Sequence, residues 1–149
     1  EGAVTRAHWP ARMQRLRTGP IPEAAPEAEI WLDGGHNPAA GQALARHLAA
    51  LPPRPTHLVC GMLNTKDIAG YLGPLAAQAV RLTAVSIPGE AATLPAEETA
   101  QAARTVGLAA RTAESPLAAV RAIASEAPRA RILICGSLYL AGAILRENG

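Results

Sequence analysis

With 149 residues, 49% of them hydrophobic, the chain is of single-domain length and can bury a proper core, which excludes a disordered polypeptide. Fourteen basic residues against twelve acidic ones leave a formal charge of +2, too balanced to argue for a nucleic-acid partner, and no apolar run is long enough to span a membrane. Phe is absent and aromatics make up 3%, so Leu, Ile, Val and much Ala must build the core.

The start, Glu1-Gly-Ala-Val, lacks Met and shows no signal peptide, so a chain cut from something larger is expected. Residues 1–19 read as an arm, with a strand-like Met13–Arg17 closed by Gly19-Pro20. Its Arg6, Arg12, Arg15 and Arg17 are the only basic concentration. With no interleaved aromatic beyond Trp9, they read as phosphate-facing or solvated rather than as a nucleic-acid surface. Residues 20–28 carry three prolines and several acids and read as a loop. The chain then alternates. Strands are expected at 29–33, 56–61, 80–87, 108–112 and 131–136, and helices at about 38–51, 67–79, 95–106, 115–126 and 138–147. Pro52-Pro53, Pro55, Pro88-Gly89, Gly107 and Pro128 punctuate them, and Ser115-Pro116 opens a helix as cap and first residue. Such alternation predicts βαβ units: an α/β, Rossmann-like, mostly parallel sheet with helices on both faces. Ile132–Cys135 fits a central strand. Cys60 and Cys135 read as buried, reduced thiols at strand ends, with a disulfide open to them only if those strands are neighbours.

Ligands of such sheets bind at the carboxyl ends of strands. Three polar groups fall there: Asp33 to Asn37, Asn64-Thr65-Lys66-Asp67, and Ser137. The first is the most informative. Glycines 34 and 35 let a ligand approach closely, Asn37 is a good N-cap, and Pro38 suits the first helical position. A carboxylate and an imidazole thus lie beside the partly positive end of a helix, a natural anion site, although an ordinary solvated βα connection would read the same way. Gly61–Asp67 is not a Walker loop, because Thr65 precedes Lys66, Asp67 follows it, and the spacing is one short. Asp67 reads as an N-cap, and Lys66 as a cation at the ligand edge or a solvated lysine. Cys135-Gly-Ser-Leu-Tyr139 lacks the G-x-S-x-G elbow, so a Ser137–His36–Asp33 triad is disfavoured. Ser137 reads as a helix N-cap or a hydroxyl donor to a ligand. His8, His47 and His57 show no metal spacing and read as surface or boundary residues.

Four motifs occur in order: Trp9-Pro-Ala-Arg12-Met-Gln14, Leu32-Asp-Gly-Gly-His-Asn-Pro38, Gly61-Met-Leu-Asn-Thr-Lys-Asp67 and Cys135-Gly-Ser-Leu-Tyr139. Their order and spacing resemble the C-terminal domain of bacterial folylpolyglutamate synthase/dihydrofolate synthase, of the Mur ligase superfamily. The resemblance covers residues 1–149. Family members commonly carry Ala where this chain has Gly35, and Gly where it has Ala11. The resemblance implies a cytoplasmic, ATP-dependent amide ligase. ATP would phosphorylate the carboxylate of dihydropteroate or a folate, and L-glutamate would attack the acyl phosphate. It also implies a separate N-terminal ATPase domain, absent here, as partner and as the main holder of Mg2+. By the same carry-over, Arg12 would reach the ATP phosphates and Asp33 the nucleotide, plausibly its ribose. His36 would sit near the transferred phosphoryl group and the incoming glutamate as the catalytic residue, Ser137 would bind glutamate, and Lys66 would pair with a carboxylate. No metal ligand is assigned to this chain. A stand-alone nucleotide- or anion-binding module without catalysis is the competing expectation. A serine hydrolase is a third, to be exposed by phosphonate labelling of Ser137.

Overall fold

The computed structural model describes residues 12–63 and 67–148. Arg6, His8, Trp9 and Lys66 therefore lie outside the described residues. In chain order the elements are β1 (Gln14–Arg15), α1 (Pro20–Ala24), β2 (Glu29–Leu32), α2 (Pro38–Ala50), β3 (Thr56–Cys60), α3 (Ile68–Leu72) and a 3-10 helix (Gly73–Gln78). There follow β4 (Arg81–Ala84), α4 (Ala96–Thr105), β5 (Ala110–Thr112), α5 (Pro116–Glu126), β6 (Arg131–Cys135) and α6 (Leu138–Asn148). They form a six-stranded sheet in the order β1-β2-β6-β3-β4-β5. Only β1 runs antiparallel, pairing Gln14 with Leu32 and Arg15 with Trp31. This is the α/β, mostly parallel architecture that the alternation predicts.

The two faces carry separate cores. Leu44 and Leu48 of α2, Tyr71 and Leu72 of α3, and Ala100 and Ala103 of α4 pack on Leu58, Cys60, Leu82 and Leu133. On the other face Ile21 of α1, Val120 and Ile123 of α5, and Leu140 and Ile144 of α6 cover Ile30, Leu32, Val59, Ile132 and Ile134. Strands β3 and β6 are buried along their whole length, as an apolar strand covered on both faces must be. Cys60 and Cys135 are directly opposite on these neighbouring strands, and both are free thiols. The hydrogen bond with the Cys135 thiol, and then burial, push the Cys60 thiol up, which keeps it protonated.

Helix starts obey the capping chemistry. The side chains of Asn37, Asp67 and Ser115 accept from the N–H of Ala40, Gly70 and Ala118 at 2.8, 2.8 and 3.0 Å. Three expectations need correction. The helix expected at 67–79 ends as an α-helix at Leu72 and continues as a 3-10 turn. Pro74 lacks an N–H and its ring opposes the carbonyl four residues back. The loop expected at 20–28 contains α1, started by Pro20 and anchored by Ile21 N–H donating to Asn148 Oδ1 at 2.8 Å. His57 is not at the surface. It is 6% exposed on β3, with Nδ1 buried and unpaired.

Candidate functional site

The site lies where β2 and β6 diverge. These strands are adjacent and parallel, but their following helices leave to opposite faces, α2 onto the Leu58 side and α6 onto the Ile132 side. Such a switch opens a crevice beyond the strand ends. Asp33 continues the pairing, its N–H donating to the Ile134 carbonyl at 3.0 Å, and Gly61 N–H donates to the Cys135 carbonyl at 3.2 Å. The turn 33–37, Gly61 and Ser137 thereby share one edge. The two loops are in close contact: a Cβ on Gly34 would come within 2.4 Å of Leu138 Cδ2. A side chain at position 34 would make the half-exposed Leu138 change rotamer.

Two cavities open along this edge. One, of about 190 Å³, is lined by Arg12, Met13, Asp33, Ala40, Ala43, Leu44 and His47. The other, of about 240 Å³, is lined by His36, Met62, Leu63, Gly136, Ser137, Leu138 and Tyr139. Arg12 and Asp33 thus share one cavity, while His36 and Ser137 share its neighbour. Lys66, outside the described residues, belongs to neither description.

Asp33 is only 6% exposed, and both carboxylate oxygens are used. Oδ1 accepts Met13 N–H at 3.0 Å and Oδ2 accepts Gly35 N–H at 2.9 Å. Each oxygen retains a lone pair for a further donor. Ser137 is 3% exposed, and its Oγ accepts the N–H groups of Tyr139 at 2.9 Å and Leu140 at 3.4 Å. It therefore caps α6, and its hydroxyl hydrogen remains free to donate into the cavity. His36 and Arg12 are exposed. A cation, a carboxylate, an imidazole, a hydroxyl and two helix N-termini thus line one edge, a set suited to anionic groups. No serine–histidine–aspartate relay forms among the described residues: Asp33 meets the N–H groups of Met13 and Gly35, Ser137 Oγ meets those of its own helix, and neither side chain is hydrogen-bonded to His36. Among the described residues no group of three His, Cys, Asp or Glu side chains gathers to hold a metal ion, and no helix is long and apolar enough to cross a membrane.

Sequence reasoning missed Met13, whose φ of 44° is left-handed, and the exposed pair Leu138 and Tyr139 (49% and 58%) at the mouth of the second cavity. Methionine gives no signal for a left-handed backbone. Leu138 and Tyr139 read as the apolar start of a helix.

Comparison with known proteins gives a consistent assignment. The family model for the glutamate ligase domain of Mur ligases matches residues 11–138. The chain is 33% identical over 141 residues to folylpolyglutamate synthase of Lacticaseibacillus casei, covering 95% of this chain and 30% of that protein. It is similar to the structure of Mycobacterium tuberculosis folylpolyglutamate synthase complexed with ADP, with a TM-score of 0.78 and 30% identity over 98% of this chain and 35% of the other. A bifunctional folylpolyglutamate synthase/dihydrofolate synthase with Mn, AMPPNP and L-glutamate bound matches with a TM-score of 0.73 and 25% identity, over 92% of this chain and 31% of the other. The chain spans about a third of the length of these relatives.

Proposed function

Because this chain belongs to the Mur ligase family, in its glutamate ligase domain, we propose that it is the C-terminal part of an ATP-dependent ligase that joins L-glutamate to dihydropteroate or a folate. The observation that carries this reading is the pair of cavities along one sheet edge, Arg12 with Asp33 in one and His36 with Ser137 in the other. An amide ligase of this kind must hold a nucleotide and an amino acid side by side and neutralise phosphate charge. The first cavity offers a guanidinium for phosphate oxygens and a carboxylate for ribose hydroxyls. The second offers the Ser137 hydroxyl and the α6 N-terminus for a glutamate carboxylate; Lys66, outside the described residues, is carried over from the motif alone as that carboxylate's cation.

A substrate carboxylate takes the γ-phosphoryl group from ATP and releases ADP. The glutamate amine then attacks the acyl phosphate, loses a proton and expels phosphate. His36, which lines the second cavity, would hold the transferred phosphoryl group or take that proton. A magnesium ion would supply charge neutralisation at the phosphates, held mainly by residues of the N-terminal ATPase domain that the resemblance implies. ATP, L-glutamate and the pteroate or folate acid are the small-molecule partners, and that ATPase domain is the macromolecular one.

The test is steady-state kinetics on the two-domain enzyme, varying glutamate and ATP separately. Ser137→Ala is expected to raise KM for glutamate while leaving KM for ATP near its parental value, and His36→Ala to lower kcat. Purified alone, the 149-residue chain is expected to melt cooperatively and to show no glutamate-dependent ATP hydrolysis. Turnover by the chain alone would refute the two-domain reading.

A further inference from the structure

We propose that Asp33 is a positioning residue: its carboxylate pins Met13 in a left-handed backbone conformation and so fixes where Arg12 presents its guanidinium. The consequence for nucleotide binding rests on the function proposed above, whereas the pin itself stands on geometry alone. Met13 has a φ of 44°, the one positive value at a non-glycine among the described residues. Left to itself, a residue with a side chain disfavours that conformation by about five- to thirtyfold. Something must hold it.

The sheet does not. The β1–β2 ladder pairs only Gln14 and Arg15, so it stops just short of Met13. Asp33 takes over at that point. Its Oδ1 accepts the Met13 N–H at 3.0 Å, extending the tie between arm and sheet by one residue. The carboxylate is itself immobilised, because Oδ2 accepts Gly35 N–H at 2.9 Å and the Asp33 N–H donates to the Ile134 carbonyl at 3.0 Å. Arg12 is the next residue outward, and Arg12, Met13 and Asp33 line the same cavity of about 190 Å³. Without the pin, Met13 relaxes to a negative φ and the chain at Arg12 turns away from that cavity.

Two readouts separate the pin from its use. In the isotopically labelled chain, Asp33→Ala is expected to speed exchange of the Met13 amide at least tenfold and to move its carbon shifts out of the left-handed range. In the two-domain enzyme the same variant is expected to raise KM for ATP by about five- to thirtyfold. The double variant Asp33→Ala/Met13→Gly should recover the share of that loss that acts through Arg12, leaving only what a lost ribose contact costs, because glycine populates positive φ about as readily as negative. If Asp33→Ala does not fold, Asp33→Asn carries the same comparison at smaller amplitude, since it offers one acceptor oxygen to two N–H donors. A Met13 that stays left-handed and protected in the variant overturns the pin. A Met13 that moves while KM for ATP does not overturns the link to Arg12 and the nucleotide reading of that cavity. A KM that Met13→Gly fails to recover shows that Asp33 acts by touching the nucleotide, and ends the positioning role.

Discussion

Asp33 and Ser137 at the strand-end edge already hold the fold through hydrogen bonds, so removing either carries a structural cost besides any effect on the proposed chemistry. Ser137 caps α6 through two N–H groups, so Ser137→Ala carries a folding cost of about 1 kcal/mol besides any effect on glutamate. Urea denaturation of the chain without ligands checks that cost. A loss near zero would mean that water replaces the cap. Arg12 is exposed on the arm. Arg12→Ala is expected to lower kcat/KM for ATP. Loss of a charge-assisted contact costs roughly 1.5–3 kcal/mol, or about ten- to a hundredfold. An Arg12→Ala enzyme with parental kcat/KM at limiting ATP would remove Arg12 from the nucleotide site. Gly35 is bound to its surroundings in another way. A Cβ there would lie 2.6 Å from that of Ala40, so the alanine common in related motifs would need the α2 start to shift in this chain.

Elements were legible in the sequence wherever local chemistry alone determines them. Asn37-Pro38 and Ser115-Pro116 name the helix starts, because a side-chain acceptor followed by a residue without an N–H satisfies the first turn. Gly107, at φ 89°, closes α4 as a left-handed C-cap region requires. The apolar run 132–135 signals a central strand because both faces of β6 are covered. What stayed hidden depends on distant partners. Helix α1 is a five-residue, proline-rich segment with no strong pattern, held by Asn148 from the opposite end of the chain. The pairing of arm and sheet through Asp33, and the burial of His57, are equally non-local. Helix packing hides another such requirement at Gly41 of α2, where an added Cβ would come within 2.2 Å of the Tyr71 carbonyl oxygen. Gly41→Ala would gain about 1 kcal/mol of helix propensity, but overpacking against backbone costs roughly 1–3 kcal/mol or more. Because a backbone carbonyl cannot rotate aside, the net effect is expected to be destabilising, with the melting temperature falling by several degrees. An unchanged or higher melting temperature in differential scanning calorimetry would show that α2 is free to slide away from α3.

On the scale of the whole molecule, the two ends of the sheet do different work, and the pH response should report the end remote from the site. At the amino end of the strands Glu29 ties β2 to β6, its Oε1 accepting Arg131 Nε at 2.7 Å and Trp31 Nε1 at 2.9 Å, while Arg54 reaches Oε2 at 3.2 Å. Arg131 is 3% exposed and also donates to the Pro52 carbonyl, so a buried guanidinium meets a half-buried carboxylate. Burial by itself would raise the Glu29 pKa, but the hydrogen bonds from Arg131 and Trp31 and the charges of Arg131 and Arg15 outweigh it, holding the carboxyl at about 2 against a usual 4.5. His57 is shifted down from 6.5, first by burial and then by Arg81 and Arg111, with Glu126 opposing them. In both cases the folded value lies below the unfolded one, so the unfolded chain binds more protons between the two and stability rises with pH there. The His57 contribution is complete above about pH 6.5 and is lost as pH falls below it. The Glu29 contribution, on the order of 3 kcal/mol, is complete above about pH 4.5 and is lost on the way to pH 2. Urea denaturation of the chain from pH 8 to pH 3 should therefore fall in two steps. His57→Gln should abolish the upper step and leave the lower. Glu29→Gln should flatten the lower step but also cost roughly 3–5 kcal/mol at neutral pH, because Arg131 then stays buried without its anion. A parental profile flat between pH 7 and pH 5 would show that water or relaxation of β3 solvates the charged imidazole, and the upper step would have to be withdrawn.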